Sequence, residues 1–333
     1  MRFDSGRRRT LAGLAALAAS PLGRAAEALA LPGPPPGPRS APSRPLVAVA
    51  RRQGMRLAGD ALDAAKLREA LGAVVARAAG EATPVDALRR LFRPSDVVGI
   101  KVNCIAGRGL SSRPEVALAL ANWLQAAGVA ADRIVIWDRT ERELRDAGFA
   151  PSRGPGVKVL GTDTDYDPKV REWGPSGSCF ARVLVEDLTA LINLGVLKDH
   201  GLAGVSVGMK NWYGAVHNPN KLHSEGCNPF IPHLAAYPLI HDKLRLTIAD
   251  GTTGQCHGGP GRAPRWAWPY QGFLASTDTV ALDAVGWRVI EARRKEIGLR
   301  TLAEEGREPR YIADAHKLGL GVADPGRIEV VEL

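Results

Sequence analysis

Between Ala190 and Cys227 the chain gathers side chains that can carry charge and move protons. The apolar run ALINLGVL turns polar at Lys198-Asp199-His200. Lys210-Asn211 then breaks a Gly-punctuated apolar segment, and His217, Lys221, His223 and Cys227 follow. A lysine buried without a partner costs on the order of several kcal/mol, so Lys210 marks a position held for a ligand or for chemistry. Lysine can neutralise a carboxylate or phosphate there, and histidine can move protons near neutral pH or ligate a metal.

Similar groups end other apolar runs: Lys101 and Asn103 at Val97–Val102, Asp138 after Arg133–Trp137, and Asp250 after Leu244–Ala249. With His257 and Asp278 they would meet on one rim if these runs are parallel strands. The loop Gly254–Gly261, GQCHGGPG, is the most Gly-dense in the chain, and Gly258 and Gly259 let a ligand approach the backbone. Lys210, His200 and Asp250 are the expected catalytic groups. Lys101, Asn103, Lys198, Asn211, Gly258, Gly259 and Asp278 would hold a cofactor, either a metal ion or a preloaded organic group. His223 and His257 would ligate the metal. In the structural alternative Lys210 snorkels from a helix, Asp278 only caps one, and His257 is solvated.

Several chemistries lack their marks. There is no P-loop or G-x-G-x-x-G, and cysteines 104, 179, 227 and 256 form no C-x-x-C pair. They could pair as disulfides in an oxidising compartment or remain isolated thiols. Asp163, Asp165 and Asp167 imitate a calcium loop without its Gly and distal Glu, so they read as a solvated acidic loop. His223 and Cys227 are spaced to chelate on a helix, but Gly226 and Pro229 favour a loop, which weakens zinc.

The elements positioning these groups alternate. Strand Val97–Val102, a helix from Pro114, strand Arg133–Trp137 and helix Glu141–Ala147 follow amphipathic helix Asp60–Gly80 and short helix Pro84–Phe92. Strands are expected at Leu46–Ala50, Val157–Leu160, Arg182–Val185, Leu244–Ala249 and Arg327–Val331, with helices at Ile231–Ile240, after Asp278 and at Pro309–Leu318. This rhythm predicts one α/β domain over residues 46–333, with a doubly wound, mainly parallel sheet and helices on both faces.

Ahead of it, Arg7-Arg8-Arg9 precedes the apolar stretch Leu11–Ala19, too short to span a bilayer. Residues 1–30 therefore read as a cleavable signal of twin-arginine type, and 31–45 as a Pro-rich linker. The expected location is periplasmic or extracellular, with the twin-arginine export machinery as a partner and no stable membrane span. The net charge is +9, but Arg supplies 34 of the 44 basic residues and they are scattered, which argues against nucleic acid and leaves a small anionic ligand.

Blocks in this order resemble the domain of unknown function 362 family: Gly99-Ile100-Lys101-Val102-Asn103, Arg113-Pro114-Glu115, Lys198-Asp199-His200, Val207 through Gly214, His223, Ile248 through Gly251, Gly258-Gly259-Pro260, and Ala275 through Asp283. Many relatives carry a ferredoxin-like cluster domain, whose cysteine runs are missing here. A fainter similarity, to the nickel-pincer lactate racemase group, rests on His200, Gly208, Lys210 and His223. In that group the Lys and a His hold the cofactor; here Pro219-Asn220-Lys221-Leu222 precedes His223 where Asn is expected. Three functions follow: an exported metal- or cofactor-dependent oxidoreductase or isomerase acting on a small anion, a non-catalytic periplasmic anion- or metal-binding protein, or a structural partner of an exported redox complex.

Overall fold

The computed structural model describes residues 44–333. The expected signal segment and the linker up to residue 43 lie outside these. The first helices are α1 (Ala64–Ala79), α2 (Pro84–Leu91), α3 (Pro114–Ala126) and α4 (Glu141–Ala147). Later in the chain come α5 (Phe230–Ala235), α6 (Pro238–His241), α7 (Thr279–Glu296) and α8 (Arg310–Lys317). The strands are β1 (Leu46–Arg51), β2 (Val98–Lys101), β3 (Ile134–Asp138), β4 (Lys158–Gly161), β5 (Arg171–Trp173) and β6 (Ser176–Ser178). After them run β7 (Ala190–His200), β8 (Gly204–Ser206), β9 (Leu244–Gln255), β10 (Ala267–Trp268), β11 (Gly272–Ser276) and β12 (Glu329–Glu332).

One sheet runs β12-β1-β11-β9-β7-β2-β3-β4, with β8 folded back on β7 and β10 on β9. Only β11 opposes its neighbours along that order; the other pairs are parallel. Side chains alternate with the period of two that a sheet buried on both faces requires. In β3, Ile134 and Ile136 enter one core, under α1 to α4, while Val135 and Trp137 enter the other, under α5, α7 and α8. The mainly parallel α/β sheet with helices on both faces is thus present. Among the described residues no helix is long and apolar enough to cross a membrane. All four cysteines are free thiols.

Four expectations need correcting. Lys198-Asp199-His200 does not lie beyond its strand but within β7, because β8 supplies a ladder that pairs Lys198 with Ser206 and His200 with Gly204. Asp250 does not end its strand: β9 continues to Gln255, paired on its far side with β11, which had no obvious local signal. Arg182–Val185 is not a strand; a π-helical turn occupies Val183–Asp187, and a four-residue apolar run carries no readable period. The helix expected over Ile231–Ile240 breaks at Pro238, which cannot donate to the preceding turn.

The chain order matters most beside β2. From β2 the chain lays down β3 and β4 on one side, then crosses to build β7 and β9 on the other. Open α/β sheets bind ligands at the carboxyl ends of strands where the order reverses in this way.

Candidate functional site

At that reversal the ends of β2, β3 and β7 surround a cavity of about 210 Å³. A 3-10 helix, Met209–Ala215, and the turn Pro219–Leu222 complete its wall. Eight of the expected residues line it: Lys101, Asn103, Asp138, Lys198, His200, Lys210, Asn211 and His223.

Lys101, at the end of β2, is fully buried. Its ammonium donates to Asp138 Oδ1 at 2.5 Å, the Val102 carbonyl at 2.8 Å and Asn211 Oδ1 at 3.3 Å. The other Asp138 oxygen accepts the Cys104 amide at 2.7 Å. A side chain at position 214 would put its Cβ 2.8 Å from Lys101 Nζ and 2.9 Å from Asp138 Oδ1. Gly214 therefore lets the 3-10 helix pack onto this ion pair. Asn211 uses its whole carboxamide: it donates to the Lys101 carbonyl and Asn193 Oδ1, and accepts from Lys101 and Asn103.

Lys198 and Lys210 are built differently. Lys198 is equally buried, yet among the described residues its ammonium donates only to Asn103 Oδ1, at 2.9 Å. Burial pulls its pKa down to about 8. Lys210 Nζ lies 3.2 Å from His223 Nε2 and 3.6 Å from the centre of the Tyr213 ring. Burial, with the Lys198 charge adding to it, pulls the Lys210 pKa down to about 7. Neither lysine meets a carboxylate among the described residues.

The two histidines have fixed tautomers. His223 Nδ1 lies 3.0 Å from the Pro219 carbonyl, which can only accept, so the proton sits on Nδ1 and the Nε2 lone pair faces Lys210. His200 Nδ1 accepts the amides of Leu202 and Ala203 at 3.2 and 3.1 Å, leaving its proton on Nε2. The rings stack with centroids 5.7 Å apart. Burial, then the nearby Lys210 charge, lowers both histidine pKa values, that of His200 to about 2. Both are neutral at physiological pH. The cavity thus joins two lysines that form no salt bridge among the described residues to two neutral imidazoles, with Asp138 and Asp199 acting on Lys198 from further off.

A family model for a domain of unknown function, DUF362, matches residues 98–288. The chain belongs to this family. The matched span contains every cavity-lining residue of this DUF362 protein, while β1, β12, α1, α2 and α8 lie outside it. A crystal structure of a structural-genomics target from Thermotoga maritima is similar at 16% identity and a TM-score of 0.37, covering 58% of this chain and 51% of that one. The similarity therefore spans about half of that protein. No curated protein matches.

The remaining expected residues of the DUF362 chain lie elsewhere. Asp250 is buried in mid-β9, where it accepts the amides of Arg113 and Thr252, both at 2.9 Å. Arg113 caps α3 without a side-chain bond, so Asp250 supplies that helix end with its acceptor from another strand. Asp278 caps α7, accepting the amides of Val280 and Ala281, and ties down Val322 with its second oxygen. His257 packs against Trp266 within an ion network of Arg294, Glu305 and Arg307. It does not join His223 as a ligand, and no metal-competent group of three His, Cys, Asp or Glu exists among the described residues. Gly258 and Gly259 adjoin Pro260, which lines the cavity, without lining it themselves. A Cβ on Gly259 would fall 2.1 Å from the Asp199 carbonyl, so glycine lets that loop seat on the end of β7.

Two contributors carried no expected role. Asn193 holds both Asn211 and the Gly208 carbonyl; a lone polar residue inside an apolar strand was its signal. Asp283, buried on α7, accepts the amides of Gly208 at 2.6 Å and Met209 at 3.2 Å, and the Tyr311 hydroxyl at 2.9 Å. It anchors the start of the helix that presents Lys210. In sequence it resembles any polar residue on a helix.

Proposed function

We propose that this DUF362 protein binds a small carboxylate-bearing molecule in the switch-point cavity and moves a proton on it. One observation carries the reading. Lys198 and Lys210 open on one cavity without a salt bridge among the described residues, whereas Lys101 beside them is paired with Asp138. Burying a cation unpaired is costly, and a bound anion supplies the missing charge. The volume is below the roughly 300–1,000 Å³ of sites for drug-sized ligands, which favours a metabolite of a few carbons.

Lys210 titrates near neutral pH beside the His223 Nε2 lone pair, so it can take a proton from a bound ligand or return it. His200 offers a neutral Nε2–H to the ligand's oxygen. A preloaded organic cofactor with an acidic group suits the same lysines; the ligand is defined by its charge. Export by the twin-arginine machinery, supported by Arg7-Arg8-Arg9 ahead of Leu11–Ala19, would put this chemistry in the periplasm or outside the cell.

Thermal denaturation with small carboxylates tests the reading. A ligand at a hundred times its Kd stabilises by about 2.7 kcal/mol. That shift is expected in the wild type, with a much smaller one for the neutral amide analogue and none in Lys198→Gln or Lys210→Gln. Equal shifts in all three proteins would overturn it.

A further inference from the structure

We infer that Lys210 forms an imine with a 2-oxo acid whose carboxylate pairs with Lys198, an inference that rests on the anion-site reading above. The geometry separates Lys210 from an ordinary buried lysine. Among the described residues its ammonium has no carboxylate to hold its proton; it has instead an imidazole lone pair 3.2 Å away and an aromatic face. The Pro219 carbonyl keeps His223 in the tautomer that presents this lone pair. Lys210 therefore has a base already placed to free its amine, which a charge-pairing lysine such as Lys101 lacks. The pKa near 7 agrees with this.

The class of carbonyl compound follows from what lies opposite. Lys198 lines the same cavity, and among the described residues its ammonium, with three N–H donors, has a single acceptor, Asn103 Oδ1. The remaining donors suit a carboxylate. In so small a cavity, an anionic group on Lys198 and an electrophilic carbon at Lys210 must belong to one short molecule. A carboxylate directly joined to a carbonyl meets that demand with the fewest atoms.

The step balances without an oxidant or reductant. Lys210 passes a proton to His223 Nε2, and the free amine attacks the ketone carbon to form a C–N bond. The former carbonyl oxygen takes one proton from that nitrogen and one from His223, and leaves as water. A protonated imine replaces the ketone and the ammonium, so atoms and charge are conserved. The imine draws electrons from the neighbouring carbon and acidifies its C–H, which gives the Lys210–His223 region a proton to move.

Trapping tests this directly. The full-length protein is incubated with pyruvate and cyanoborohydride, and adducts are located by intact-mass and peptide mass spectrometry. One reduced adduct per chain at Lys210 is expected, absent in Lys210→Arg. In Lys198→Gln, whose fold is checked by circular dichroism, trapping at a given pyruvate concentration should fall by roughly ten- to a hundredfold, the worth of a charge-assisted hydrogen bond. Undiminished trapping in Lys198→Gln would remove the carboxylate pairing. Trapping of a phosphorylated aldehyde but not pyruvate would overturn the ligand class. If pyruvate raises the melting temperature of the wild type through Lys198 but leaves no adduct, the imine is wrong and the anion site stands. If it gives neither shift nor adduct while another carboxylate gives the shift, the imine alone falls; if no carboxylate shifts the protein, both fall.

Discussion

Lys101 and Lys210 line the same cavity and are both buried, yet they differ in one respect. Lys101 ends in three oxygen acceptors, one of them a carboxylate that is itself held by a backbone amide. Lys210 ends in an imidazole and a ring face. The first arrangement spends the charge on holding β2, β3 and the 3-10 helix together. The second leaves it available. Burial alone does not mark a working lysine; burial without counter-charge does, because the fold gives up stability there that only a ligand returns.

The contrast is most sharply broken by removing the counter-charge. Asp138→Asn leaves Lys101 buried and uncompensated, and should destabilise the protein by about 3–5 kcal/mol in urea denaturation. A loss below about 1 kcal/mol would mean that Lys101 does not depend on the pair and belongs with Lys198 and Lys210. Next in size is Asp283→Ala, which strands two amides and the Tyr311 hydroxyl. An expected loss of about 2–3 kcal/mol, accompanied by weaker carboxylate binding, would show that α7 positions Lys210. Destabilisation with unchanged affinity would reduce Asp283 to a core residue.

Much of this cavity was legible in the sequence, for a physical reason. Lys101, Asn103, Lys198 and His200 each follow an apolar run, and in a parallel sheet the ends of such runs share an edge. Lys210 and Asn211 stood out as polar residues among small apolar ones. Asp250 carried the same local mark as Lys101 and proved misleading, because β10 and β11 extend the pairing of β9 past it. Where a strand stops is decided by its neighbours, which local pattern does not contain. His257 and Asp278, expected on the same rim, do not line the cavity: His257 is held by Arg294 and Glu305, and Asp278 caps α7 and binds the distant Val322 amide. The α/β class survives such errors because it depends on the alternation of elements and not on their exact ends.

Replacing Lys210 reverses the sign expected at Asp138. Lys210→Met removes a cation that burial disfavours and fills its place with an apolar chain of similar length. The variant should be more stable than the ligand-free wild type at pH 7 by about 1–2 kcal/mol, while losing its carboxylate-induced shift. A variant less stable than the wild type would mean that the Lys210 charge is compensated after all, and the distinction from Lys101 would fail.

The smallest expected effect, and the most specific, is the pH dependence of that gain. Lys210 has a folded pKa near 7, below the roughly 10.5 of an unfolded lysine. Between these values the unfolded chain binds the proton that the folded chain has released, so wild-type stability from this group rises with pH across the window. The cost is fully present below about pH 7 and gone above about pH 10.5. The advantage of Lys210→Met over the wild type should therefore be greatest at pH 7 and shrink steadily as the pH rises toward 10, as read from paired urea titrations. Lys198, with its pKa near 8, should behave similarly in Lys198→Met over a narrower span. An advantage that stays constant with pH would assign the gain to packing rather than charge, since packing does not titrate.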